Sequence, residues 1–344
     1  MKTPTAGLMN VLRVAALAGC LQLAAVYPLA QAPAGGAPQP AAPAAQPPAV
    51  PAAQAPGRGR GPQPVDPRVQ IRMHHFADTN EDIPYALFVS SKVKKDKKAP
   101  MIVTLHGIGG THTTMMRPKA IDLAEAGGYI LLAPMGYNPR GWFGAPAPGG
   151  RRGAPPAANG APTGATSTPA APTAAAVPPP NAGAAPPQGR RGALPPGLLN
   201  NPNDPPNLRE LSEKETIEVV DLVRKEFKVD DDRTYVMGHS MGGAGALYLA
   251  IKYPQRWAAA AALAPAAFTV DAQGLGKIPK MPIMLVHGDM DTVVPVSVGR
   301  AWAAAMKAVP LKTYQYIEVP GGDHGTVIDS HQSELYAFFA KHSR

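Results

Sequence analysis

The run Tyr235-Val-Met-Gly-His-Ser-Met-Gly-Gly constrains this chain more than any other segment. It reads as an apolar strand, a tight turn centred on Ser240, and a small-residue helix over 244–252. Gly238 and Gly242 stand two residues either side of Ser240, the G-x-S-x-G spacing of a nucleophile elbow. In such a turn the serine backbone is strained and flanking side chains would collide, so both neighbours must be glycine. The turn lifts the hydroxyl clear of the sheet. It also sets a helix start beneath it, where free N–H groups and the helix dipole favour a developing negative charge. The competing reading is a glycine-rich turn without chemistry, and the presence or absence of partners for the serine decides between the two.

Strands and helices alternate around this turn. Val69–Phe76 and Ile83–Val89 read as paired strands about Asp78-Thr-Asn-Glu-Asp82. Short apolar runs at 100–105 and 129–133 read as buried strands, and 234–237, 257–263, 282–286 and 313–319 read as further strands. Helices are expected over 115–126, 213–227, 298–308 and 326–342, with Ser212 and Glu215 forming a capping box for the second. This rhythm implies βαβ units and an α/β, doubly wound, mostly parallel sheet covered by helices on both faces. In such sheets functional residues gather in loops at the carboxyl ends of the strands.

A serine hydroxyl needs a base to take its proton and a carboxylate to orient that base. Two loops at the expected edge supply candidates. Strand 282–286 runs into His287-Gly-Asp-Met-Asp291-Thr-Val-Val-Pro295, and strand 313–319 into Pro320-Gly-Gly-Asp-His324-Gly. His324, in a glycine-rich loop after the last strand, has the best claim to be the base. His287 reads as a loop-orienting residue, and His331 and His342 as surface positions on the terminal helix. Asp289 competes with Asp291 for the carboxylate, and Asp323, adjacent to His324, is the weaker candidate. The chain order Ser240, Asp291, His324 is the order Ser, Asp/Glu, His of one class of serine hydrolases. A tetrahedral intermediate also needs two backbone donors. Met241, after the nucleophile, is one; Ile108 in the loop His106-Gly-Ile-Gly-Gly110 is the other, with Gly107 close behind.

Together, Leu105-His-Gly-Ile-Gly-Gly, Gly238-His-Ser-Met-Gly-Gly, His287-Gly-Asp-Met-Asp-Thr-Val-Val-Pro and Gly321-Gly-Asp-His324 resemble the α/β-hydrolase superfamily. Within it the chain is similar to secreted bacterial esterases of the polyhydroxybutyrate depolymerase and feruloyl esterase type, and to prolyl oligopeptidase-like hydrolases. Asp230-Asp-Asp-Arg-Thr-Tyr-Val-Met-Gly-His-Ser is similar to the lead-in of these esterases. The resemblance covers about residues 69–143 and 208–343. It implies Ser240, Asp291 and His324 as the triad, with Asp291 at the carboxylate position of H-G-x-x-D-x-x-V-P, and neither metal nor organic cofactor. The implied activity is carboxylic ester hydrolysis through an acyl-enzyme on Ser240, with a small-molecule or polymeric ester as substrate. The alternatives are a secreted peptidase of the prolyl oligopeptidase-like type and an inactive envelope-binding homologue. Trp142, Phe143, Trp257 and Phe268 are read either as pocket-lining or as core residues.

Composition bounds the rest. Residues 31–67 and 144–207 are rich in Ala, Pro, Gly and Gln and show no hydrophobic period, so they read as a disordered linker and a disordered insert. The remainder, about 240 residues, suits one domain over 68–344 interrupted by the insert. Residues 1–67 and 139–207 hold +3 and +4 of the net charge of +9. The basic character therefore sits largely in these segments and gives no support for a specific nucleic-acid site. The lysines of 92–98 read as a solvated turn. Lys2, Arg13 and the apolar stretch 14–26, followed by Tyr27-Pro-Leu-Ala-Gln-Ala, read as a signal peptide over 1–30, placing the protein outside the cytoplasm, secreted or periplasmic. Leu17-Ala-Gly-Cys20 resembles a lipobox, so a lipoprotein anchored through Cys20 is the alternative, and membrane attachment follows only from that. Cys20 is the single cysteine, which leaves no intrachain disulfide.

Overall fold

Unbroken apolar runs build the centre of the sheet. The computed structural model describes residues 65–148 and 201–344. The expected signal peptide, Cys20, nearly all of the linker and most of the insert lie outside the described residues. Eight strands are ordered β1-β2-β4-β3-β5-β6-β7-β8. They are β1 (Gln70–Phe76), β2 (Glu81–Val89), β3 (Ala99–Leu105), β4 (Ile130–Ala133), β5 (Val229–His239), β6 (Ala259–Leu263), β7 (Ile283–Gly288) and β8 (Tyr314–Val319). β1 and β2 pair antiparallel and β2 joins β4 antiparallel; every other pairing is parallel. All residues of β3, β4, β6 and β7 are buried, as strands covered on both faces require.

Alternate residues of these strands serve two cores. Met101, Val103, Leu105, Ala260, Ala262, Ile283 and Leu285 pack with α2 (Leu208–Glu226), α3 (Met241–Lys252) and α4 (Val296–Ala308). Ile102, Ala261, Leu263, Met284 and Val286 pack with α1 (Pro118–Gly127), α5 (Val327–Ser330) and α6 (Gln332–Ala340) on the other face. Each fully buried Leu, Ile or Val contributes about 1.5–3 kcal/mol, so the doubly covered strands dominate the stability. The doubly wound, mostly parallel α/β sheet expected from the alternation of elements is the observed architecture.

Three elements differ from expectation. α1 begins at Pro118 rather than at Met115, because proline lacks an N–H and is suited to the first helical turn; Met115 and Met116 are buried before it. α2 begins at Leu208 with Asn207 as N-cap, so Ser212 and Glu215 are interior positions and form no capping box. Both side chains are buried and bond elsewhere, as described below. The terminal helix is broken at His331 into α5 and α6.

The ends of the expected insert are part of the folded unit. Ala145 is buried, and Arg140 holds Asp204 by two hydrogen bonds, Nε to Oδ2 at 2.8 Å and Nη2 to Oδ1 at 2.6 Å. Lys92, Lys94, Lys95, Lys97 and Lys98 are exposed, in keeping with a solvated turn.

Candidate active site

The turn after β5 has the strain its sequence demands. Ser240 adopts φ 56°, ψ −116° at the N-cap of α3, a conformation rare for a residue with a side chain. Its backbone is held on three sides: the N–H donates to Leu263 O at 2.9 Å, and the carbonyl accepts from Ala244 N at 3.0 Å and Ala266 N at 2.9 Å. A Cβ on Gly238 would collide with the Gly242 carbonyl, and one on Gly242 with the Leu105 carbonyl. Backbone approach, not flexibility, therefore requires glycine at both positions.

The loops after β7 and β8 meet at the same edge. His324 Nδ1 lies 2.7 Å from Asp291 Oδ2. Asp291 Oδ1 accepts from Val293 N at 2.9 Å and Val294 N at 2.8 Å, which fixes the carboxylate plane. Burial alone would raise the Asp291 carboxyl, but hydrogen bonds from His287 and His324 and the charge of His324 hold it well below the usual carboxylate range. Asp291 therefore stays ionised and favours the His324 tautomer with its proton on Nδ1, leaving Nε2 to accept. His287 is fully buried; its Nε2 bonds Val294 O at 2.9 Å and lies 3.4 Å from Asp291 Oδ2, so it braces the carboxylate loop. The rival carboxylates are occupied elsewhere. Asp289 Oδ1 accepts from Gly321 N at 2.7 Å, and Asp323 Oδ1 from Gly325 N and Thr326 N at 2.9 and 2.7 Å. His331 bonds Ser330, and His342 packs edge-on against Phe338, both away from this edge.

His239 joins the two halves of the site, and sequence reasoning missed it. Its Nε2–H donates to the backbone carbonyl of His324 at 2.7 Å, and the two rings lie 4.6 Å apart at 52°. Burial, then the nearby charge of His324, pushes the His239 imidazole down to about 3, so it is a neutral donor across the working pH range. The residue before the elbow thus fixes the loop that carries His324. Among the described residues no hydrogen bond joins Ser240 Oγ to His324 Nε2. Such bonds commonly tighten only once substrate is bound.

Two of the expected backbone donors, Met241 and Gly107, lie beside the serine. Met241 opens α3, so its N–H has no intrahelical partner. Gly107 faces the elbow closely enough that a Cβ there would lie 3.3 Å from Ser240 Cβ and 3.2 Å from His239 Nδ1. The loop is pinned on both sides of Ile108: His106 Nε2 bonds Met135 O at 3.0 Å, and Gly109 N bonds Pro139 O at 3.0 Å. Of the four aromatic candidates, Trp142, Phe143 and Trp257 are core residues, whereas Phe268 is half exposed. Phe268 borders a groove of about 330 Å³ with Ala267, Val298 and Trp302, at the same strand ends. Larger hollows of about 700 and 570 Å³ open at the opposite edge, around Phe227–Val229 and Met281, and contain none of these residues.

Comparison with known proteins bears on the fold. A family model described as putative esterase matches residues 171–332, which include Ser240, Asp291 and His324. A crystal structure of a thermostable esterase superposes with a TM-score of 0.52 at 22% identity, covering 80% of this chain and 64% of that one. An S-formylglutathione hydrolase from Agrobacterium tumefaciens gives 0.54 at 14% identity, covering 79% of this chain and 94% of that one. The chain has the α/β-hydrolase fold. A ferulic acid esterase from Anaeromyces mucronatus shares this α/β-hydrolase fold with a TM-score of 0.52 at 16% identity, over 80% and 90% of the two chains. Over a 50-residue stretch the chain is 48% identical to S-formylglutathione hydrolase of Bos taurus, covering 14% of this chain and 18% of that protein. The chain thus spans about a fifth of that curated relative and just under two thirds of the thermostable esterase.

Proposed function

We propose that the protein is a serine hydrolase that cleaves carboxylic esters through an acyl-enzyme on Ser240 and works outside the cytoplasm. The observation that carries this reading is the buried Asp291 carboxylate bonded at 2.7 Å to His324, at the strand edge where Ser240 stands on a strained turn. His324 Nε2 takes the proton from Ser240 Oγ as the oxygen attacks the ester carbonyl. The N–H groups of Met241 and of Ile108, or its neighbour Gly107, receive the charge that develops on the carbonyl oxygen. His324 then returns its proton to the leaving alcohol, and the Ser240 ester remains. In the second half His324 deprotonates water, which attacks the acyl carbonyl and releases the acid.

The test is hydrolysis of nitrophenyl esters and matched anilides by the purified protein. Ester cleavage is expected, with kcat reduced on the order of 10⁴-fold or more in Ser240→Ala. Activity that survives this change would refute the acyl-enzyme, and a preference for anilides would move the protein to the peptidases. Export is supported by the signal-like segment 1–30. N-terminal sequencing of protein recovered from outside the cytoplasm should begin at Gln31. A lipidated Cys20 would place it on a membrane instead.

A further inference from the structure

Glu215 is a buried carboxyl that the proposed chemistry does not use. It lies inside α2 with one oxygen, Oε1, buried and without a partner. Burying a carboxyl in this way is unfavourable, and an apolar side chain would fill the site at lower cost. Its presence is explained by what the other oxygen does. Oε2 accepts from Gly136 N at 2.8 Å and Tyr137 N at 3.2 Å. These two residues form a turn in the left-handed region, φ 64° and 63°. For Tyr137 that conformation is strained and persists only because the surroundings impose it. One helical turn away on the same face, Ser212 Oγ accepts from Phe143 N at 3.1 Å, where Trp142 and Phe143 are again left-handed, φ 59° and 51°. α2 therefore clamps a strained loop, 136–143, at both ends.

That loop reaches the reaction centre through backbone contacts. Met135 O, immediately before the turn, holds His106 Nε2, and Pro139 O holds Gly109 N. The two contacts bracket Gly107 and Ile108. Burial lowers the His106 imidazole, and the ring bridges the two segments, with Nε2 3.0 Å from Met135 O and Nδ1 2.8 Å from Gly107 O. We propose that Glu215 is a positioning residue: through the turn at Gly136–Tyr137 it sets the distance of the Gly107 and Ile108 N–H groups from the oxyanion. The inference rests on the reading of those groups as oxyanion donors in a Ser240 esterase.

The experiment is a kcat and KM comparison on a nitrophenyl ester for wild type, Glu215→Gln, Glu215→Asp and Glu215→Ala, with Ser240→Ala alongside. The amide oxygen of Gln still accepts both N–H groups, so kcat should stay within about twofold. Asp retracts the acceptor and should lower kcat about tenfold, and Ala should lower it about 10–100-fold, the scale of a misplaced catalytic group, with KM little changed. A folded Ala variant with wild-type kcat, or losses confined to KM, would overturn the proposal. If the Ala variant does not fold, Asp decides: kcat equal to that of Gln overturns it. Ser240-independent activity in the wild type would instead overturn the esterase reading, so the two failures are distinct.

Discussion

The His239 imidazole donates to the backbone carbonyl of His324 across 2.7 Å, so the residue beside Ser240 holds the loop that carries His324. His239→Ala should lower kcat about 10–100-fold on a nitrophenyl ester while KM changes little, because the base loop is freed but the substrate surface is not. His239→Gln, which can keep an N–H donor, should recover part of the loss. Burial keeps His239 neutral, with its titration pushed down to about 3. The shape of the pH–rate profile above pH 5 should therefore be the same in both variants as in the wild type.

Asp291→Asn keeps the shape of the carboxylate but offers His324 Nδ1 either an amide N–H or a neutral oxygen. The wrong tautomer or a weakly held ring should lower kcat about 10³–10⁴-fold, measured by steady-state hydrolysis at neutral pH. The carboxyl of Asp291 is held below its ordinary value in the folded protein. Its stabilisation is therefore present above the unfolded value, near 3.8, and is lost as pH falls below it. Denaturant melts should show the acid-side loss reduced in the Asn variant.

Glu215 has the opposite sign. Burial pushes it up to about 8 from 4.5. Its contribution is full below the unfolded value and declines as pH rises towards the folded one. Between those limits the folded chain holds a proton that the unfolded chain has released, so stability falls by up to about 1.4 kcal/mol per pH unit. Denaturant melts of wild type and Glu215→Gln from pH 4 to 9 should diverge across this window, with the Gln variant flatter. Parallel curves would refute the linkage.

Gly242→Ala places a methyl group against the carbonyls of Leu105 and His106, backbone atoms with no soft torsion to move aside. A loss of about 1–3 kcal/mol is expected, a fall in Tm of roughly 2–12 °C by calorimetry. Any nitrophenyl ester hydrolysis should fall with it, because the same shift displaces the elbow.

The parts of this architecture that depend on short segments were readable from the sequence. β3, β6 and β7 are apolar runs because both faces are covered, and the elbow announced itself because two backbones touch at Gly238 and Gly242. Contacts made to distant backbone atoms were not readable. Nothing in the order of residues says that His239 reaches a carbonyl after β8. The spacing of Ser212 and Glu215 matched a local helix-start pattern, yet both side chains are drawn inward to a strained loop 69 and 79 positions away. Spacing alone left Asp289 and Asp291 open. Only folding shows that one accepts from Gly321 while the other faces His324.

The clasp between Arg140 and Asp204 works like the neck of a purse. The entropy of closing a chain segment grows only with the logarithm of its length, about 0.6 kcal/mol per doubling. The ion pair joins positions 64 apart in the chain, beside the buried Trp142, Phe143 and Ala145, so the segment that follows Arg140 belongs to the folded unit.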